Sequence, residues 1–314
     1  MTNQMRHIPV MLNEVLQYLN PQNGEVYVDA TFGNGGYSEA ILKQANCKVI
    51  ALDRDPSVKA RANELKTHYE DRFEFRSGTF GDMANLVPEM VNGVVFDIGV
   101  SSMQLDDAFR GFSFSKEAVL DMRMSMSGIS AKDIVNTYSE KDLADLIYLY
   151  GEEKKSRQIA AKIVSSRAIK PIETTTELAD IIYKIMPKRS GQIDPATRTF
   201  QALRIAVNDE LKQLNDGLVS ALSRTLPGGR IVVVDFHSLE DRIVKNFFTE
   251  NSDKKVHVSR YKTDNSPECT GNKPLSFVSK SIMPTDEECS VNARSRSAKL
   301  RYAIKRKDFS HEQC

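Results

Sequence analysis

The fold of this chain is set by one stretch of its sequence, Val26-Tyr-Val-Asp-Ala-Thr-Phe-Gly-Asn-Gly-Gly-Tyr-Ser-Glu-Ala-Ile-Leu42. Its β-branched and aromatic start predicts a short buried strand that ends at Asp29. Glycines at 33, 35 and 36 allow a sharp turn and a close approach of the backbone to a ligand, because they carry no Cβ atom. The apolar residues that follow predict a helix. In open α/β sheets, the N-terminus of such a helix faces the ligand crevice.

The spacing of the glycines bears on the identity of that ligand. Dinucleotide-binding folds favour G-x-G-x-x-G, whereas Ser38 occupies the position of the third glycine here. Asp53 ends a second predicted strand, Lys48–Asp53, where an acidic side chain can accept both ribose hydroxyls of an adenosine. Asp53 alone does not separate NAD from S-adenosylmethionine, and glycine clusters also occur in ordinary tight turns.

Strands and helices alternate further along the chain. Two more strands are predicted, and the second, 93–99, is almost wholly apolar, as a strand covered on both faces should be. Phe80 lies in the loop after the other strand, where it could either stack on an adenine or close the core. The strands carry Asp29, Asp53 and Asp97 to one edge of a predicted parallel sheet.

The alternation breaks over about residues 106–205, which carry helical signals and no convincing strand. Ser139-x-x-Asp142 and Thr174-x-x-Glu177 resemble capping boxes in front of apolar periodic runs. A further helix is predicted to begin at Asp194-Pro195 and to continue through Leu214. We therefore predict an inserted helical domain.

The sheet resumes after the insertion. Residues 227–236 predict a fifth strand, and Ser238-x-x-Asp241 is predicted to cap the helix that follows. A long polar segment then holds one predicted strand near Val256–Tyr261. Lys299–Lys305 alternates cleanly between apolar and polar residues, which predicts a final, half-exposed strand.

Composition narrows the class of protein. The net charge is +1, so a nucleic-acid interface would have to be a local patch rather than a global field. The four cysteines, Cys47, Cys269, Cys289 and Cys314, are scattered without a C-x-x-C pair, so we expect reduced thiols and neither a metal site nor a disulfide framework. No apolar run reaches the eighteen residues that a membrane helix needs, and we expect a cytoplasmic protein.

Two local runs of basic residues could contact RNA phosphates. Solvated helix faces have the same composition, so the two interpretations stay open. The runs lie at 154–170, in the insertion, and at 294–307, near the C-terminus.

Several motifs together resemble those of the bacterial small-subunit (16S) ribosomal RNA cytosine-N4 methyltransferase family, over about residues 7–305. The motifs are Asp-x-Thr-Phe-Gly-x-Gly-Gly at 29–36, Leu-Asp-Arg-Asp-Pro at 52–56, Asp-Ile-Gly-Val-Ser-Ser-x-Gln-Leu-Asp at 97–106, Arg-Gly-Phe-Ser-Phe at 110–114, Leu-Asp-Met-Arg-Met at 120–124, Tyr-Gly-Glu-Glu at 150–153, Ala-Thr-Arg-Thr-Phe-Gln-Ala-Leu-Arg-Ile at 196–205 and Phe-His-Ser-Leu-Glu-Asp-Arg-Ile-Val-Lys at 236–245.

The resemblance implies an α/β fold, with a Rossmann-like class I methyltransferase sheet and an inserted helical domain. The first part of the core would span residues 1–105, the substrate-recognition insertion 106–205, and the second part of the core, with the basic C-terminus, 206–314. S-adenosylmethionine would be the methyl donor. The acceptor would be the exocyclic N4 of one cytidine in the decoding region, presented as small-subunit RNA or as the assembled subunit.

The resemblance also implies the site residues. One position departs from the family pattern, because Tyr37 stands where a histidine is usual, and a contact through its backbone amide is then the one expected. The implied cofactor contacts are Gly35, Gly36, Tyr37, Asp53, Phe80, Asp97 and Gln104.

Three residues are candidates for catalysis. Asp97 and Ser101 occupy the place of the short polar motif of related amino-methyltransferases, and they could accept hydrogen bonds from the reacting amino group. His237, after the fifth strand, could be a proton acceptor or a packed or capping histidine.

Two other functions remain open from the sequence. A nicotinamide-dependent oxidoreductase would share the strand, turn and helix with Asp53, but it would prefer the missing third glycine. A non-catalytic RNA-binding assembly factor on a methyltransferase scaffold would keep the basic runs without turning over the donor.

Overall fold

A computed structural model describes residues 9–253 and 273–308 of the chain. These residues form two compact units. The first unit holds the described residues up to Gly99 and from Leu211 onward, and the second holds Val100–Glu210. The strand predicted near Val256–Tyr261 lies outside the described residues.

Within the described ranges, one sheet of seven strands forms the centre of the first unit. The strands are β1 (Val26–Asp29), β2 (Lys48–Asp53), β3 (Phe73–Ser77), β4 (Val91–Asp97), β5 (Thr225–Asp235), β6 (Leu275–Val278) and β7 (Lys299–Lys305). Their order is β3-β2-β1-β4-β5-β7-β6, with β7 antiparallel to both neighbours and the other pairs parallel. The α/β fold and the Rossmann-like sheet that the resemblance implies are therefore confirmed.

The helices follow the strands in the order that the sequence predicts. They are α1 (Leu12–Leu19), α2 (Gly36–Gln44), α3 (Lys59–Tyr69), α4 (Met83–Leu86), α5 (Ser102–Asp106), α6 (Ala131–Thr137), α7 (Glu140–Gly151), α8 (Ser156–Arg167), α9 (Thr175–Tyr183), α10 (Thr197–Asn208), α11 (Glu210–Arg224), α12 (Ser238–Glu250) and α13 (Asp286–Val291). No helix among the described residues is long and apolar enough to cross a membrane.

Parallel pairing brings four acidic residues to one edge of the sheet. Asp29, Asp53 and Asp97 are the last residues of β1, β2 and β4, as predicted. Asp235 is the last residue of β5, which pairs with β4 in parallel. Because the carboxyl ends of parallel strands meet at the same edge, this edge carries a row of carboxyl groups.

Apolar layers cover both faces of the sheet. Val95 packs in the layer that contains α1, α2 and α3, and the next residue, Phe96, packs in the layer that contains α11 and α12. Both side chains are fully buried. Burial on both faces explains why β4 is apolar at successive positions instead of alternating.

Side chains cap the helices of the second unit where the sequence predicts. Ser139 Oγ accepts from the Asp142 amide at 3.1 Å, and Thr174 forms a complete capping box with Glu177. The apolar faces behind these caps share one buried cluster. Its members include Leu143, Ile147, Ile159, Leu178 and Ile182.

Two local predictions were wrong, and one strand was missed. The helix predicted to run from Asp194 through Leu214 is two helices, because Asp209 adopts a left-handed φ of 52° that ends α10 before α11 begins. The cap of α12 is His237, not Ser238. Strand β6 was not predicted; it is only four residues long, and it exists by pairing with β7.

Candidate active site

The glycine turn between β1 and α2 is shaped by packing within the protein. Gly35 has a φ of +73°, and a Cβ atom there would lie 2.7 Å from the Phe32 ring. A Cβ atom at Gly36 would lie 2.3 Å from Pro9 Cγ. Glycine is therefore needed at both positions for the chain's own contacts, a reason that no sequence pattern indicated.

Tyr37 lies in the first turn of α2, and its side chain belongs to the core. Only 3% of the residue is exposed, and its hydroxyl donates to the carbonyl of Val10. Burial raises the pKa of this phenol well above its usual range. Its ring therefore cannot replace the ligand contact of a histidine, and the contact through its backbone amide stays a prediction, consistent with the unpaired first-turn amides of a helix.

Asp29 is fully buried, and its carboxylate is bound by the turn that follows it. One oxygen accepts from the amide and the hydroxyl of Ser38, at 3.2 and 2.7 Å, and the other accepts from the Thr31 amide at 3.2 Å. Burial raises the pKa of Asp29 to about 6. This carboxylate connects the end of β1 to the start of α2.

Asp53 is bound in the same manner. Its two oxygens accept from the Gly33 amide and the Asp55 amide, each at 2.8 Å. Burial raises the pKa of Asp53 to about 6. The residue therefore already orders the glycine turn, and any bond to ribose hydroxyls would be additional.

Asp97 differs from both of these residues. Its Oδ1 atom is buried and has no hydrogen-bond partner among the described residues. Burial, with smaller contributions from the charges of Asp29 and Glu240, raises its pKa to about 7, while Arg294 acts in the opposite direction. A buried acceptor without a partner is costly in a folded protein, and it points to a ligand that supplies a donor.

Asp235 was not predicted as a site residue. It is fully buried, and neither carboxyl oxygen has a partner among the described residues. Burial, reinforced by Asp241 and Glu240, raises its pKa to about 8, although Lys299 and Arg301 oppose the shift. The available signal was the one used for the other three residues, an acid at the end of a buried strand.

His237 is engaged by the helix that it begins. Its Nδ1 accepts from the Glu240 amide at 3.4 Å, and its Nε2 lies 2.9 Å from Glu240 Oε1. The second oxygen of Glu240 accepts from the amides of Phe236 and His237. Of the two roles left open, this geometry favours the capping histidine over the proton acceptor.

Phe80 packs into the core of the first unit. Its ring meets Phe96 edge to face at a centroid distance of 5.8 Å, and a Cβ atom at Gly217 would lie 2.8 Å from it. The residue is only half-buried, so part of its surface is exposed. Stacking on an adenine stays a prediction.

Ser101 and Gln104 lie in the second unit and form a capping box at the start of α5. Ser101 Oγ accepts from the Gln104 amide at 3.3 Å, and Gln104 Oε1 accepts from the Ser101 amide at 2.9 Å. The S-x-x-Q spacing could have predicted this box. The structure brings these two predicted residues together within one capped turn.

The hydrogen-bonding groups of the first unit fit S-adenosylmethionine. The start of α2 offers backbone amides, Asp53 offers an acceptor beside the glycine turn, and Asp97 offers an acceptor without a partner. No group of three or more potential metal ligands occurs among the described residues.

Comparisons with known proteins cover almost the whole chain. Residues 4–306 match the profile described as the MraW methylase family. "Ribosomal RNA small subunit methyltransferase H" of Rickettsia bellii (strain OSU 85-389) is 52% identical over 304 residues, which are 96% of this chain and 99% of the relative. The protein of the same name from Rickettsia conorii (strain ATCC VR-613 / Malish 7) is 53% identical over 299 residues, 95% of this chain and 97% of that one. A solved rRNA methylase from Streptococcus thermophilus covers 94% of this chain and 93% of its own, at 9% identity and a TM-score of 0.40.

Proposed function

This chain belongs to the MraW methylase family, and from that premise we propose that it transfers a methyl group from S-adenosylmethionine to the exocyclic N4 of a cytidine in small-subunit ribosomal RNA. The observation that carries the proposal is Asp97 Oδ1, a buried acceptor without a described partner at the edge that also bears Asp53 and the glycine turn.

The donor would be held mainly by backbone groups and carboxylates. The amides of Gly36 and Tyr37, at the start of α2, suit its carboxylate, because helix N-termini bind anions. Asp53 suits the ribose hydroxyls. When bound, S-adenosylmethionine supplies an electrophilic methyl group on a sulfonium.

The electrostatics of the strand edge favour this donor over a dinucleotide. Asp29, Asp53 and Asp97, with pKa values of about 6, 6 and 7, give the edge carboxylates that are wholly or partly ionised at neutral pH, whereas NAD would bring the two negative charges of a pyrophosphate. A sulfonium and an ammonium group are both cationic, so opposite charges would meet. The oxidoreductase alternative is therefore disfavoured.

The cytosine N4 amine is a weak nucleophile, because its lone pair is delocalised into the ring. Asp97 would accept a hydrogen bond from this amine, which localises the lone pair on the nitrogen as the new N–C bond forms and the C–S bond breaks. With a pKa of about 7, Asp97 is partly ionised at neutral pH and can also receive the proton that the amine releases. Ser101 and Gln104 stay candidates for positioning the acceptor and the donor.

The second unit is proposed as the RNA-recognition domain, and an enzyme that acts on ribosomal RNA in a bacterial cell would work in the cytoplasm. The basic run near the C-terminus contributes less than its composition suggests. Arg306 is paired with Asp253 and donates to the Lys273 carbonyl at 3.0 Å. Arg296 and Lys307 are exposed and are the better candidates for phosphate contacts.

A methyl-transfer assay tests the proposal directly. Radiolabelled donor is offered with naked small-subunit RNA, isolated small subunits or intact ribosomes, and the product nucleosides are separated by chromatography. We expect label in N4-methylcytidine for at least one of the three substrates. Donor binding without label in any of them would favour the assembly factor, and tighter binding of NADH than of S-adenosylmethionine would favour the oxidoreductase.

A further inference from the structure

A cavity of about 450 Å³ lies within the second unit, between the middle of α7 and the start of α8. Ala144, Asp145 and Tyr148 of α7 line one side of it. The other side is the connection into α8 and the first turn of that helix, over residues 154–158. The cavity therefore belongs to one unit and is distinct from the strand edge described above.

Three cationic side chains line this cavity, and they differ from other basic residues of the same run. Lys154, Lys155 and Arg157 are exposed and form no ion pair with a described residue. By contrast, Arg167 donates to two carbonyl oxygens at the end of α6, each at 2.6 Å, and Lys170 pairs with Glu177 at 2.7 Å. Three exposed cations of the run therefore line the cavity without an ion pair to a described residue, whereas Lys162, which is also exposed, lies outside its lining.

An exposed aromatic ring stands beside these charges. Tyr148 is 59% exposed, although it lies on a helix whose opposite face is fully buried. Nucleobases stack on such rings with little dependence on sequence. Asp145, which also lines the cavity, pairs with Lys141 at 3.0 Å, and its carboxylate is an acceptor of the kind that binds the exocyclic amino groups of cytosine or adenine.

The start of α8 adds a backbone contribution. No side chain caps this helix at Lys155, whereas Ser139 caps α7 and Thr174 caps α9. The nearby carboxylate of Glu153 does not cap the helix either, because it accepts from the Lys155 amide at 2.9 Å. The N-terminus of α8, with its positive partial charge, therefore contributes to the lining of the same cavity, although the Ser156 amide already donates to the Glu153 carbonyl at 3.2 Å.

We propose that this cavity binds one nucleotide of single-stranded RNA in the substrate, separate from the methylated cytidine, with its phosphate at Lys154, Arg157 and the start of α8 and its base on Tyr148. The inference rests on the proposed function and adds a second RNA contact to it. An aromatic ring next to three cations fits a nucleotide better than an acidic peptide, which has no base to stack.

Fluorescence anisotropy with a labelled single-stranded RNA decamer of mixed sequence tests the proposal across a range of salt concentrations. We expect Tyr148→Leu to weaken binding about tenfold, because stacking is lost while apolar bulk is kept. The double variant Lys154→Gln with Arg157→Gln should reduce the slope of log affinity against log salt by about 0.7 units, the value for one neutralised phosphate on a single strand.

Lys170→Gln is the matched control, since it removes an exposed lysine of the same run that is already paired. It should leave both affinity and slope unchanged. Unchanged binding by both cavity variants would overturn the proposal, and so would equal competition by a polyglutamate peptide. Thermal melting of each variant verifies the fold. Donor binding and methyl transfer by the unmodified protein, measured in parallel, report separately on the proposed function.

Discussion

The carboxyl ends of β1 and β2 contrast with those of β4 and β5. Asp29 and Asp53 accept hydrogen bonds from the backbone on both carboxylate oxygens. Asp97 has one buried oxygen without a described partner, and Asp235 has two. All four are strand-terminal aspartates, yet only Asp97 and Asp235 have oxygens that accept no hydrogen bond from a described residue.

The contrast separates carboxylates that stabilise the structure of the site from carboxylates that are available to a ligand. The carboxylates of β1 and β2 hold the glycine turn and the start of α2, so their oxygens already accept hydrogen bonds that stabilise the fold. The carboxylates of β4 and β5 bear a desolvation cost that no described hydrogen bond offsets. Unpaired polar groups of this kind persist where a ligand or a proton completes them.

Asp97→Asn should have the largest effect if this contrast is correct. The variant keeps the shape of the side chain and loses its charge, so turnover at saturating donor should fall about 100-fold. The wild-type rate should rise between pH 6 and 8 as the carboxyl with a pKa of about 7 ionises, and the residual rate of the variant should not. Radiolabel transfer at several pH values measures both. Normal turnover by the variant would show that Asp97 has no catalytic role.

Asp53→Ala should affect both binding and stability. Losing the acceptor for ribose hydroxyls should weaken donor binding about tenfold or more, since such charge-assisted bonds contribute about 1.5 to 3 kcal/mol. The amides of Gly33 and Asp55 also lose their acceptor, so the free energy of unfolding should decrease by about 1 to 3 kcal/mol. Calorimetric titration and urea denaturation give the two quantities. An unchanged donor affinity would refute the cofactor assignment, whatever happens to stability.

Asp235→Asn should change the pH dependence of stability. The pKa of Asp235 is raised to about 8 in the fold, so the wild type binds a proton that the unfolded chain has released above about pH 4. This group therefore stabilises the fold at low pH, and its contribution is lost as pH rises toward 8. Relative to the wild type, the free energy of unfolding of the variant should rise by up to about 1.4 kcal/mol for each pH unit between pH 5 and 8. Urea denaturation at each pH tests this, and a constant difference between the two proteins would contradict it.

His237→Asn should have the smallest effect. Asparagine is among the best N-cap residues, so α12 keeps its start and methyl transfer should stay essentially unchanged. A proton acceptor at this position would instead cost about 100-fold or more. His237→Ala serves as the control that removes the cap, and it should lower stability by about 1 kcal/mol while the rate persists.

Part of this site could be predicted from the sequence because it depends on short-range patterns. Strand periodicity with a terminal acid located Asp29, Asp53 and Asp97, and the predicted bounds of Lys299–Lys305 agree with those of β7. Capping boxes in the insertion were equally local. Asp235 carried the same local signal, but nothing nearby in the sequence marked its oxygens as unpartnered.

What escaped prediction depends on contacts between distant residues. The amide of Met11 donates to Glu288 Oε1 at 2.7 Å, which fixes the N-terminal segment to α13, and Pro9 and Val10 then cover Gly36 and Tyr37. The periodicity of the sequence does not indicate that the Tyr37 hydroxyl donates to Val10, 27 positions earlier. The left-handed turn at Asp209 likewise has no glycine or proline to mark it in the sequence.

The place of β7 in the sheet has a consequence for how this protein is synthesised. The strand lies between β5 and β6, although Lys299 is made 64 positions after its register partner Asp235. At about 5 to 20 residues per second, β5 would emerge some 3 to 13 seconds before the strand that covers it. During that interval a nascent chain presents an apolar strand with an open hydrogen-bonding edge, which invites pairing with other chains. A chain interrupted before residue 299 would be held in that state, so premature termination near the end of the message should yield aggregated protein and not a shortened, functional enzyme.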